Sequence, residues 1–150
     1  MKKNIRLYNV MFPLWMILLI APTVWIFVLP GNFIIDSIVL VMSLYAMKIA
    51  DKRSFYKKSI AAVFLSGLLA DFIGSLFAFC LVYFFELGSM GDEFYITVPS
   101  LVISMCFIYI LNYFISFKRV EGVNRRRLSL VFALVTAPYT FLVPSAWIYN

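Results

Sequence analysis

Seven acidic residues occur among the 150, and two of them, Asp36 and Asp71, fall within stretches that are otherwise apolar. A carboxylate in such surroundings can bind a proton or a cation, or act as an acid or base. Asp71 is the more demanding of the two. At about 1.5 Å per residue from Ser59, where its apolar run begins, it lies on the order of 18 Å in, near the middle of a bilayer. A charge at that depth is costly unless it is paired, hydrated or protonated. No basic residue is expected beside it, because Lys48 closes the preceding run and its side chain would snorkel outward. Polar side chains such as Ser104, Asn112 or Thr136, freed backbone carbonyls, or water must then serve as partners.

Gly67, Asp71, Ser75 and Ala78 follow at spacings of four, four and three and so share one helix face, with Gly74 beside them. That face reads in two ways. Asp71 and Ser75 can line a proton- or substrate-linked cavity, or Gly67, Gly74 and Ala78 can form a seam against which another helix packs closely. Asp36 is expected in the first turn of its own run, near the outer interface, where a helix N-terminus favours a carboxylate. Asn32, four residues earlier, is expected as the N-cap and could join Asp36 in an outer vestibule.

Catalytic patterns are missing. The chain has no histidine, which removes His-Glu-x-x-His and any serine–histidine pairing. The nearest approach is Gly31-Asn32-Phe33-Ile34-Ile35-Asp36 with Asp71, set beside the Asn and Asp motifs of lipoprotein signal peptidases. Its spacing departs by one residue, the second asparagine is absent, and the two acids are expected at different depths, so it counts as coincidence and not as a family resemblance. Cys80 and Cys106 lie inside apolar runs with no Cys-x-x-Cys spacing. No metal, cofactor or enzymatic activity is therefore expected.

The elements that position these residues follow from composition. Apolar residues make up 64% of the chain and charged residues 13%, with a mean hydropathy of +0.97, too little polar surface to cover a water-soluble globule. A hydrocarbon core of about 30 Å needs roughly 20 apolar residues in a helix. Five such runs can be drawn, Met11–Leu29, Phe33–Ala50, Ser59–Leu87, Tyr95–Phe117 and Leu128–Tyr149. The expected fold is all-α, a single integral membrane domain over residues 1–150 forming a polytopic transmembrane helical bundle. Pro30-Gly31-Asn32 is expected to reverse the chain between the first two spans, and the third run is long enough to tilt or protrude. Pro22, Pro138 and Pro144 predict kinks inside spans one and five.

In this scheme all 13 basic residues fall on one side, in the groups Lys2–Arg6, Lys48–Lys58 and Lys118–Arg127, while Glu86, Asp92 and Glu93 fall on the other. The positive-inside rule then puts the N-terminus in the cytoplasm and the C-terminus outside. A cleaved signal peptide competes for the first run, but no Ala-x-Ala-like site precedes Gly31. Trp25, Trp147 and Tyr149 are expected as anchors at the outer interface, and Tyr8 and Tyr56 at the inner. Lys118, Arg119, Arg125, Arg126 and Arg127 suffice to set topology and can also meet anionic head groups, so the net charge of +6 points to a bilayer surface and not to nucleic acid.

The expected function is a small transporter or channel-like protein, suited in composition to a bacterial cytoplasmic membrane, with Asp71 coupling to a proton or cation. Five spans are few for a complete pathway, so a homo-oligomer or other membrane subunits are expected to complete it. The alternative is an accessory or assembly subunit that docks through the small-residue face. An enzyme acting on lipid would need a second catalytic group beside Asp36 or Asp71.

Overall fold

A computed structural model describes residues 22–85, 93–118 and 122–142. It contains four α-helices, α1 (Pro22–Ala46), α2 (Lys52–Phe85), α3 (Glu93–Leu111) and α4 (Arg125–Val135). A π-helical turn, Asn112–Ser116, continues α3, and a 3-10 turn, Tyr139–Leu142, follows α4. No strand occurs among the described residues.

Three of the helices contain stretches long and apolar enough to cross a membrane, Trp25–Ala46, Lys52–Phe84 and Phe94–Ser116. The distribution of polarity agrees with that solvent. Large apolar side chains such as Phe27, Ile38, Met42, Leu65, Phe72 and Val102 face outward, while Ser43, Ser59, Ser66, Ser75, Ser100, Ser104, Asn112, Ser116 and Ser129 are buried. Small polar residues let helices approach closely and bond to one another's backbone, whereas bulky apolar ones suit lipid. The described residues are thus an all-helical bundle compatible with a multi-pass membrane protein.

The expected reversal at Pro30-Gly31-Asn32 does not form, because α1 runs through it without a break for 25 residues, about 37 Å. Proline at position 30 lacks an N–H and frees the Ile26 carbonyl, a local defect that a membrane helix tolerates more readily than a fully unpaired turn within hydrocarbon. Gly31 is open around its α-carbon, with nothing within 4 Å of where a Cβ would lie. Pro22 is the first described residue of α1, so the kink expected there lies at the edge of the described residues.

The fifth run is also shorter than expected. α4 is only 11 residues long and ends at Val135, ahead of Pro138, which disfavours helix in the residue before it. The described residues therefore hold three helices of spanning length where five spans were expected. Residues 11–21 and 143–149 of the first and fifth runs lie outside the described residues, as do the two termini whose sides the charge pattern predicts, and Pro144, Trp147, Tyr149 and Tyr8.

α2 starts earlier than expected, at Lys52, where the Asp51 carboxylate accepts a hydrogen bond from the Ser54 N–H at 3.1 Å. Its 34 residues span about 51 Å, more than the hydrocarbon thickness, so the turns carrying Lys52, Arg53, Lys57 and Lys58 can extend beyond it. The short link from α1 is closed by Lys48 at φ 51, and the Ile49 N–H donates to the Leu44 carbonyl at 3.2 Å. α2 is flanked by α1 and α3, and α4 returns against α3 and α1. Phe55 of α2 lies 6.2 Å from Phe117 after the π-turn, which lies 5.7 Å from Phe132 of α4. These contacts gather the start of α2, the end of α3 and α4 at one end of the bundle, the end that carries Lys48–Lys58 and Arg125–Arg127.

Candidate functional site

α1 and α2 run antiparallel, and at their contact Asp36 faces the turn of α2 that precedes Asp71. Asp36 lies fourteen residues after the start of α1 and is 5% exposed. It packs against Gly67, where a Cβ would sit 3.4 Å from the Asp36 Oδ2. Glycine at that position leaves room for the carboxylate between two backbones. Asp71 is one turn further along the same face of α2. Its Oδ1 is buried and has no hydrogen-bond partner among the described residues. The register that sets Asp36 against Gly67 also brings Asn32, one turn earlier on α1, to the level of Asp71. Ser75, a turn beyond Asp71, is buried.

This corrects the expected placement of Asp36 and Asn32. With no turn at residues 30–32, α1 begins ten residues before Asn32, so neither residue stands at a helix N-terminus and capping explains neither of them. The acids expected at different depths come to adjacent turns of the α1–α2 contact. The position of Asp71 within a long apolar helix was legible from its run, whereas that of Asp36 depended on where its helix began.

The proposed partners of Asp71 are engaged elsewhere. Ser104 Oγ donates to the Ala70 carbonyl at 3.2 Å, Asn112 Nδ2 to the Ile108 carbonyl at 3.0 Å and Thr136 Oγ1 to the Phe132 carbonyl at 2.8 Å. The small-residue face of α2 is taken up within the chain. Gly67 meets Asp36, Gly74 is buried, and Ala78 packs with Ile96 and Leu101 of α3 and with Ala137. Two contacts had no evident signal in the sequence. Tyr56, expected as an interface anchor, shares a hydrogen bond with Ser37 at 3.0 Å beside Asp36, and Ser66 shares one with Ser116 at 3.2 Å.

Two carboxylates in apolar surroundings resist being ionised together, and a proton or a cation held between them relieves the repulsion. Their oxygen donors suit a hard cation and not a soft one. Among the described residues no group of three or more His, Cys, Asp or Glu gathers as a metal cluster, and Cys80 and Cys106 are free thiols. At the basic end, Lys118, Arg126 and Arg127 are exposed and Arg125 is half-buried, while Arg119 lies outside the described residues. Three arginines open α4 with no acid in its first turn, opposite to what the helix dipole favours.

The described residues form a helical bundle with three helices long and apolar enough to cross a membrane, and Asp36 lies one turn from the level of Asp71 at the α1–α2 contact. No protein-family model, curated protein or solved structure matches the chain.

Proposed function

We propose that this is a small multi-pass membrane protein, suited to a bacterial cytoplasmic membrane, in which Asp36 and Asp71 together bind a proton or cation whose movement is coupled to transport. The observation that carries this reading is the contact of Asp36 with Gly67, one turn from Asp71 on the same face. Two acids are costly to bury where packing alone is needed, because serine or alanine would pack as well without the charge. The few spanning helices supply only part of a pathway wall, and a homo-oligomer supplies the rest. The basic end faces the cytoplasm, where Lys118 and Arg125–Arg127 meet anionic head groups, and an anion beside the first turn of α4 offsets its unfavourable charge.

The test uses protein reconstituted into vesicles loaded with a pH-indicator dye and given a pH step in sodium or potassium buffer. Wild-type protein should carry protons or exchange them for the cation faster than protein-free vesicles. Asp71→Asn should reduce this about tenfold with insertion intact. Flux equal to wild type in both Asp36→Asn and Asp71→Asn would remove the claim.

The same contact favours a second reading. A carboxylate pair can activate water, one group as base and the other as acid, and so supplies the second catalytic group that an enzyme needs. Hydrolysis of a lipid or a membrane-embedded peptide by the purified protein, lost in both Asp→Asn variants, would move the assignment to that class.

A further inference from the structure

Buried hydroxyl and amide groups continue from the acid pair toward the basic end. On α2, Ser59, Val63, Ser66 and Ala70 recur at spacings of four, three and four, and all are buried on one face. Across from them, Ser104 Oγ donates to the Ala70 carbonyl and Ser116 shares its hydrogen bond with Ser66. Asn112 lies between Ser104 and Ser116 along the chain, at the start of the π-turn, where the Phe117 N–H reaches back to its carbonyl at 3.0 Å. Such turns often mark functional positions in helices.

Several oxygens on this path have no partner among the described residues. Asn112 Oδ1 and Ser59 Oγ are unpartnered although their residues are 1% and 0% exposed, and Asp71 Oδ1, next to Ala70, is unpartnered as well. Ser129 Oγ is a fourth, one turn before Phe132 on α4. A buried polar atom without a partner costs free energy that alanine would avoid. Water trapped between such atoms satisfies them, since it bonds to two or more polar groups at once.

We propose that this seam is a hydrated proton route between the Asp36–Asp71 pair and the basic end, with Asn112 as its central positioning residue; the proposal rests on the reading of the pair as a proton site. From Ser59 to Asp71 the route covers about 18 Å along α2. Each hop breaks one O–H bond and forms another on the next oxygen, so no electron or co-reactant is needed. The rings of Phe55, Phe117 and Phe132, tilted against one another, pack beside the route where it nears the basic end.

The test is infrared spectroscopy of the full chain in lipid vesicles. It follows hydrogen–deuterium exchange at the protonated carboxyl band identified by its loss in Asp71→Asn or Asp36→Asn. Asn112→Leu should keep the band and slow its exchange about tenfold. The Ser66→Ala, Ser116→Ala double variant should slow it too, which keeps the test open if Asn112→Leu does not fold. Ser100→Ala, whose hydroxyl is held by the Ile96 carbonyl at 2.7 Å away from the seam, should exchange at the wild-type rate. A retained band with wild-type exchange in the Ser66, Ser116 variant overturns the seam and leaves the acid pair standing. Absence of any band that depends on Asp36 or Asp71 overturns the acid pair as a proton site, and the seam with it.

Discussion

Gly67 decides whether Asp36 and Asp71 can share a site. A methyl group there would touch the Asp36 Oδ2 at 3.4 Å, an ordinary contact, whereas a larger side chain must displace the carboxylate. Gly67→Ala should therefore fold and function close to wild type. Gly67→Leu should cost about 1–3 kcal/mol by overpacking and should lose flux, read by thermal unfolding in detergent and by vesicle assay. Equal flux in the two variants would mean that the carboxylate does not depend on this space. Asp71 was legible in the sequence because an acid in the middle of a long apolar run stands out whatever the boundaries. Asp36 was legible as a residue but not as part of this site, because a shift of eleven residues in the start of its helix moved it from an interface to the interior.

Helix boundaries account for that shift. Pro-Gly-Asn is a strong turn signal in water, where a broken helix can bond to solvent. In hydrocarbon the same break leaves several backbone groups unpaired, and continuing the helix past one missing donor costs less. Gly31→Cys, in a Cys80→Ser, Cys106→Ser background, should consequently resist membrane-impermeant thiol reagents, and rapid labelling would indicate the reversal that the sequence suggests. Lys48 offers a test at the other end of α1, since its φ of 51 suits glycine better than lysine. Lys48→Gly should stabilise the protein by about 1 kcal/mol, seen as a higher unfolding temperature. The early start of α2 had a visible signal in Asp51, a cap residue ahead of a helix-favouring run, that a boundary drawn from hydropathy alone passes over.

At the scale of the whole molecule, the helix that continues through Pro30–Asn32 removes the reversal that was to put Lys2–Arg6 on the same side as the other basic groups. Among the described residues, Lys48–Lys58 and Arg125–Arg127 gather at one end of the bundle. What hydropathy could not show is which faces meet. The serines buried along α2 and α3 are invisible to a scale that scores only average apolarity, and they matter because small hydroxyls bond to backbone where bulky residues cannot approach. The cluster of tilted aromatic rings at the basic end ties α2, α3 and α4 together, and Phe132→Ala should cost about 3 kcal/mol of stability, measured by unfolding in detergent. A change under a third of that size would mean that α4 is held mainly by other contacts.

The most direct measurement is a double-mutant cycle on vesicle flux, comparing wild type, Asp36→Asn, Asp71→Asn and the double variant at equal insertion. If the two carboxylates bind one proton or cation between them, each single change abolishes most of the flux and the double change adds almost nothing, because residues acting as a unit are strongly non-additive. Losses that multiply, or one variant that keeps full flux, would contradict a shared site.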